Sequence, residues 1–545
     1  MNRLTQLILM LLIAKNLKLK ETLMNNQNHA VTIEPLDDYN RELLANVHPP
    51  DWVNPTPVDC YDLVVIGSGT AGLVTAKGAA GLGIGLKVAM IEKNLMGGDC
   101  LNVGCVPSKC LIRSSRVVAE MKGALPYGVQ PPEHMAIDFP EVMARMRQIR
   151  TKISPVDSAV AAKKAGVDVF FGEARFKNEN IITVEGQDLK FKKAVIAAGA
   201  RAVRPQIPGI EETGYLTNES VFSMTSLPKK LAVIGGGPIG CELAQAFQRL
   251  GSEVTLFHKG SHLLDKEDAD AAEVVQQALI KDGIRLVLNC QLESVAQSPE
   301  GKVIKFIGDN LSDTLRDRTQ ESIVVDEILA GAGRQPNVES LNLEAVGVEY
   351  DARKGLIVND HLQTTNAKIY GAGDICMNWK FTHAADAAAR IVIKNTLFSP
   401  FGLGKAKLSD LVMSWVTFTD PEIAHVGMYE AEVQAQGINC NTIKINFDDV
   451  DRALADGETE GFVKILHQQG SDEILGATIV ARHGGEMISE ITTAMIGKMG
   501  LSKLATVIHP YPTQAMAIKQ AADAYRRTLL TEKTKKLLGF LYKLS

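Results

Sequence analysis

No CxxC pair occurs anywhere in the 545 residues. Zinc ribbons and thioredoxin-type redox centres both need that spacing, so neither is expected. An excess of cationic charge is missing as well. The formal net charge of -5 gives no reason to expect nucleic acid as a partner. Eight cysteines are too few for a disulfide-rich secreted scaffold and suit a cytoplasmic protein with one reactive pair. No apolar run long enough to cross a bilayer is evident either. Leu7 to Ala14 (LILMLLIA) is too short. Lys15, Lys18 and Lys20 follow it, where a signal peptide would place small cleavage-site residues. That run reads as a surface-lying anchor, or as the product of an upstream start codon with Met24 the true beginning.

What is present fills several domains. Hydrophobic content of 46% and charged content of 22% are those of a soluble globular chain. After the proline-bearing lead-in HPPDWVNPTPV, the strand YDLVVI opens at Tyr61 and runs into GSGTAG. Gly67, Gly69 and Gly72 have GxGxxG spacing, and the next strand, LKVAMIEK, ends at Glu92. A strand, a glycine turn, a helix and a strand ending in an acid form a dinucleotide fingerprint. The glycines admit a pyrophosphate to the helix N-terminus, and Glu92 is placed to bond a ribose hydroxyl.

The pattern returns 168 residues later, where LAVI precedes Gly235, Gly237 and Gly240 and EVTLFHK follows. Two fingerprints imply two nucleotides and hydride transfer between them. The second copy has Phe257, His258 and Lys259 in place of an acid. An acid would repel a 2′-phosphate, whereas Lys259 and a protonated His258 would attract one. This predicts NADPH, with NADH as the alternative. Gly199, Gly333 and the GAGD segment with Gly373 and Asp374 end further apolar strands, where backbone passes near a nucleotide and an acid can bond a flavin's ribityl chain.

Between the fingerprints lies GGDCLNVGCVPSK, Gly97 to Lys109, with Gly98 at its head. Cys100 and Cys105 are separated by four residues. In a regular helix such residues have Cα atoms about 8–9 Å apart, beyond the ~7 Å that a disulfide tolerates. A bond between them therefore needs a distorted helix, which Asn102 and Gly104 can supply. A strained bridge of that kind is reducible, which suits a disulfide that opens and closes beside a flavin. The other reading is two core cysteines that never pair.

Taken together, CLNVGCVPSK, the two ordered fingerprints, GAGD and TFTDPEIAHVG resemble the pyridine nucleotide–disulfide oxidoreductases, with mercuric-reductase-like members nearest in character. The resemblance runs from Tyr61 to Arg527. It implies an α/β fold: two Rossmann-like FAD- and NAD(P)-binding domains plus a C-terminal α+β dimerisation domain. The boundaries it implies are an extension over 1–58, FAD-binding parts over 59–205 and 336–407, an NAD(P)H domain over 206–335, a dimerisation domain over 408–530 and a basic tail over 531–545. It further implies that NADPH reduces FAD, that FAD reduces Cys100–Cys105, and that Cys105 is the flavin-proximal thiolate while Cys100 attacks the acceptor. Lys109 and Glu242 match an ion pair at the flavin. The resemblance also implies that the acceptor is a small molecule or a metal ion, and that the enzyme is a homodimer whose C-terminal segment completes the partner's site. The alternatives are a dihydrolipoamide dehydrogenase and a non-catalytic flavin-binding, membrane-associated protein.

One part of the family pattern is altered. HPTxxE supplies a catalytic His and its orienting Glu, but IHPYPTQAMA places Tyr511 and Met516 at those positions. A neutral tyrosine is a poor base, so reduction of lipoamide or glutathione is expected to be weak. His509 is either a substitute base or a structural residue. After Arg527, Lys533, Lys535, Lys536 and Lys543 alternate with Leu537, Leu538, Phe540 and Leu541 in the pattern of a basic amphipathic helix, suited to weak membrane association, to a dimer contact or to solvent.

Overall fold

The computed structural model describes residues 31–310 and 319–545, so the apolar run at Leu7–Ala14 and the alternative start at Met24 lie outside the described residues. The chain forms two compact units, one from residues up to 102 with 147–200 and 336–408, the other from 103–146, 201–335 and 409–545.

The first unit is built on parallel strands in the order Val167–Phe171, Val88–Glu92, Tyr61–Ile66 and Gln187–Ile196, with Ile369–Gly371 beside the last. Register pairs Val64 with Ala89 on one side and Ala194 on the other. These strands are apolar almost without break because a parallel sheet is covered on both faces. Their core gathers Tyr61, Val64, Ile91, Phe170, Phe176 and Phe191. A short antiparallel meander, Arg175–Asn178 and Ile181–Val184, extends the edge.

The irregular lead-in HPPDWVNPTPV and the helix before it are part of this unit. Helix Asp38–Val47 is capped by the Asp37 side chain. Trp52 Nε1 donates to Val169 O at 3.1 Å, and Asn54 bonds the Phe171 backbone in both directions at 2.8 Å. Buried Arg150 ties the helix down by donating to Asn40 Oδ1 at 2.6 Å and to Asn102 O at 2.7 Å.

The second unit holds two sheets. One runs Thr319–Val325, Gly301–Asn310, Arg285–Ser298, Glu253–Phe257, Lys230–Ile234, Glu327–Ala330, with its last four strands parallel. The other is antiparallel, in the order Ser414–Thr417, Glu422–Gly427, Ile474–Ala481, Phe462–Gln468, Cys440–Asn446. Helices Gly484–Ile496 and Met516–Thr528 cover it, burying Ile488, Ile491, Ile518 and Ala521. Residues 103–146 belong here and not with the first fingerprint, because helix Cys105–Lys122 lies along helix Pro238–Leu250 and Phe139 packs on Phe247. Helix Glu532–Leu544 is capped by Thr531 and buries none of its residues. Among the described residues, no helix is long and apolar enough to cross a membrane, and no cluster of His, Cys, Asp or Glu could hold a metal ion.

Candidate active site

The two glycine turns are built alike. Gly67 and Gly235 have φ of 100° and 112°, a region closed to most side chains. A Cβ on either would strike the carbonyl oxygen of a neighbouring strand end, Ala197 at 2.3 Å or Gly331 at 2.5 Å. A Cβ on Gly72 would meet Gly67 O at 1.9 Å, and one on Gly240 would meet Gly235 O at 1.8 Å. These glycines thus press each helix onto its own strand. Gly69 and Gly237 begin the helices Thr70–Ala80 and Pro238–Leu250 with no side-chain cap. A Cβ on Gly237 would meet nothing within 4 Å, and one on Gly69 only Gly98 Cα at 3.7 Å. Uncapped N–H groups facing open space beside glycine are the chemistry a pyrophosphate needs. The residues therefore fit a dinucleotide at each turn.

In the first unit the segments expected at the flavin converge on this turn. Gly97 N–H donates to Ser68 O at 2.9 Å, and a Cβ on Gly98 would lie 2.6 Å from Gly69 Cα. Gly373, at φ 80°, faces Ala71 in the first turn of the helix, which places half-buried Asp374 beside it. Glu92 is more engaged than a ribose ligand alone would be. Its Oε2 accepts from Ser68 N at 2.8 Å and Ser68 Oγ at 2.7 Å, and its Oε1 accepts from Asn94 N at 2.8 Å. Gly199 O accepts from Asn337 N at 3.0 Å, where the chain returns to this unit.

Cys100 lies in the short helix Gly98–Asn102, and Cys105 opens the helix Cys105–Lys122. The two are not on one continuous helix, since Gly104 leaves the helical region with φ -138° and ψ -112°. Cys105 is exposed and Cys100 half-buried. One turn on, Lys109 Nζ donates to Glu242 Oε2 at 2.9 Å. Glu242 is buried, and its other oxygen accepts from Phe418 N at 2.9 Å. The Phe418 ring lies 4.3 Å from Lys109 Nζ. Phe418 belongs to the TFTDPEIAHVG segment, but nothing in its sequence signals this role.

In the second unit the His258 ring is bonded within its own loop. Its Nδ1 accepts from Gly236 N at 3.1 Å and its Nε2 meets Asp265 Oδ1 at 2.8 Å; the His258 ring is buried and Asp265 is exposed. A 2′-phosphate would find both ring nitrogens engaged. Lys259, next in sequence, is exposed. Gly333 O accepts from Val203 N at 3.0 Å where the two chain crossings adjoin.

Tyr511 and His509 precede helix Met516–Thr528; Tyr511 is exposed, whereas the His509 side chain is buried. The Tyr511 hydroxyl donates to Asp451 Oδ2 at 3.0 Å, and that bond and charge raise its pKa further. His509 places Nε2 2.7 Å from Glu490 Oε1 and Nδ1 3.2 Å from Val507 O. Both nitrogens thus face acceptors.

Residues 61–389 match the family described as pyridine nucleotide-disulphide oxidoreductase, and 413–522 match its dimerisation domain. The chain belongs to this family. It is 35% identical over 471 residues to a mercuric reductase of Lysinibacillus sphaericus, covering 86% of this chain and 84% of that one. It is 33% identical over 477 residues to a dihydrolipoyl dehydrogenase of Thermus scotoductus, covering 86% and 98%. Among solved structures, the HOCl-induced flavoprotein disulfide reductase RclA from Escherichia coli matches with a TM-score of 0.73 at 27% identity, over 85% of this chain and 99% of that one. This oxidoreductase is accordingly an FAD-dependent enzyme of the mercuric-reductase-like kind, and its dimerisation domain supports a homodimer.

Proposed function

We propose that this oxidoreductase uses NADPH at the second fingerprint to reduce a soft metal ion or a disulfide at Cys100 and Cys105, with FAD held at the first. When bound, the flavin supplies the two-electron relay between nicotinamide and disulfide. The observation that carries the reading is the fastening of the cysteine segment to the first fingerprint, through Gly97 to Ser68 and Gly98 against Gly69. Gly67, Gly69, Gly72, Glu92, Gly98, Gly199, Gly373 and Asp374 hold FAD in this reading. Gly235, Gly237, Gly240 and Gly333 hold the nicotinamide dinucleotide. NADPH is favoured over NADH because no carboxylate stands at the strand end and the Lys259 ammonium is exposed.

Cys105 starts a helix, and helix N-termini favour the thiolate that binds soft metals and attacks disulfides. Lys109 and Glu242 fix a positive charge one turn from it. Tyr511, bonded to an aspartate and raised in pKa, is a donor and not a base at neutral pH. That favours an acceptor needing no proton shuttle, such as Hg(II). There, NADPH and Hg(II) give NADP⁺, a proton and metallic mercury, two electrons passing to the metal. A reactive thiol pair suits the reducing cytoplasm. The lysines of helix Glu532–Leu544, together with exposed Leu537, Phe540 and Leu541, support a weak hold on anionic lipid.

The test is anaerobic titration of the purified enzyme with NADPH and with NADH, followed by assay with Hg(II), small disulfides and quinones. NADPH is expected to raise a long-wavelength charge-transfer band that Cys105→Ser abolishes. Either cysteine substitution is expected to lower acceptor turnover at least about a hundredfold. Full turnover in both serine variants would overturn the assignment.

A further inference from the structure

The middle residue of each glycine turn is held by the side chain at the end of the following strand. In the first copy, Ser68 N–H donates to the Glu92 carboxylate at 2.8 Å. In the second, Gly236 N–H donates to His258 Nδ1 at 3.1 Å. A backbone N–H only donates, so Nδ1 must present a lone pair, and the Asp265 carboxylate 2.8 Å from Nε2 places the ring's proton there. The imidazole is therefore neutral in the bonded form. It is tightly enclosed: its side chain is 6% exposed, and a Cβ on Gly236 would come within 2.8 Å of His258 Cγ. A Cβ on Gly260 would come within 2.7 Å of Nε2. Gly236 O in turn accepts from Leu264 N at 2.8 Å, so the loop after His258 grips the turn by two bonds.

We propose that His258, oriented by Asp265, is a positioning residue that holds the second fingerprint in its nucleotide-binding form only while its Nδ1 is unprotonated. This rests on reading that fingerprint as the dinucleotide site. A carboxylate keeps its acceptor oxygens at all pH values above the carboxyl range, whereas an imidazole turns its acceptor into a donor on protonation, setting N–H against N–H at Gly236. The titratable groups around the ring are Asp265 on Nε2, Lys259 and His262 on the same loop, Cys241 donating to Gly236 O, and Cys290 with Asp309 on the adjoining strands. The sign is opposite to that of a phosphate-binding histidine. Acid weakens NADP⁺ and NAD⁺ binding in parallel, where a cationic His258 would tighten NADP⁺ alone.

The experiment is calorimetric binding of NADP⁺ and NAD⁺ to the oxidised FAD enzyme between about pH 5.5 and 8.5. Both affinities are expected to fall several-fold on the acid side. His258→Asn, which sets an amide oxygen near the place of Nδ1, is expected to bind with affinity independent of pH in this window. His258→Leu is expected to bind about tenfold more weakly at every pH, in line with one lost hydrogen bond. Hydrogen exchange of the peptide around residues 234–241, without dinucleotide, gives a second reading. It is expected to be faster in His258→Leu than in His258→Asn at the same pH. Acid tightening of NADP⁺ alone, or a leucine variant with wild-type affinity and exchange, would overturn the proposal. Failure of both dinucleotides to bind at any pH would instead overturn the assignment of the site, because the exchange measurement reads the brace without ligand.

Discussion

At the scale of single residues, identity and bonding tell different stories. Glu92 and His258 each end a strand after a glycine turn, and the motif assigns both to a ribose. The structure gives each a first duty to its own loop, at Ser68 and at Gly236. That duty is invisible in sequence, because it depends on how far the turn folds back over the strand end. Glu242 shows the same thing. Its pairing with Lys109 follows from the family pattern, but the Phe418 N–H on its second oxygen does not. Glu242→Gln keeps the size and removes the charge. It is expected to cost about 1–2 kcal/mol of stability, since Lys109 is partly solvated. Turnover is expected to fall about tenfold or more. Thermal unfolding and steady-state kinetics on the FAD-loaded enzyme check both; unchanged kinetics would remove the pair from the active site.

At the scale of elements, the four-residue gap between the cysteines becomes a break between two helices. Gly104 makes that break, as the distance argument required, although spacing alone did not say where the helix would restart. The antiparallel sheet carries a feature with no sequence signal. His425 is buried on strand Glu422–Gly427, accepting or donating at Thr478 Oγ1 at 2.8 Å, with its ring stacked 3.6 Å from Tyr429. Burial lowers its pKa to about 3. A histidine whose folded value lies below its unfolded value of about 6.5 gives its full stabilisation above that pH and loses it progressively as pH falls toward the folded value. The wild-type protein is therefore expected to lose stability from about pH 6.5 downward, and His425→Gln to lose less over the same range. Denaturant midpoints as a function of pH measure this, and parallel curves for the two proteins would refute it.

At the scale of the whole molecule, both units are discontinuous in sequence. The chain leaves the first unit at 102, returns at 147, leaves at 200 and returns at 336. The crossings near Gly199 and Gly333 are legible as strand ends with Arg-Pro signals. The excursion over 103–146 is not, because only the packing of Cys105–Lys122 on Pro238–Leu250 assigns it. The family dimerisation match ends at 522, so helix Glu532–Leu544 lies beyond the matched domain. From Arg526 onward there are six Lys and Arg against Glu532 alone, on a chain of net charge -5. Deleting residues 531–545 is expected to leave acceptor turnover within about twofold, as for other exposed termini. It is also expected to abolish co-sedimentation with vesicles containing phosphatidylserine at low salt. Equal sedimentation of both forms would show that the helix has no part in lipid binding.

The amino-acid sequence alone determined the two nucleotide turns, the reactive cysteine pair and the family. Each of these depends on short-range spacing: glycines that admit a backbone or a phosphate, and two thiols separated by four residues. Only the tertiary structure decided that the Glu92 carboxylate braces Ser68, that a neutral imidazole braces Gly236, and that Tyr511 is bound to Asp451. A hydrogen bond across tens of residues requires an acceptor to arrive at a donor with the right lone pair. That meeting is fixed by how strands and loops pack, not by the residues on either side of it.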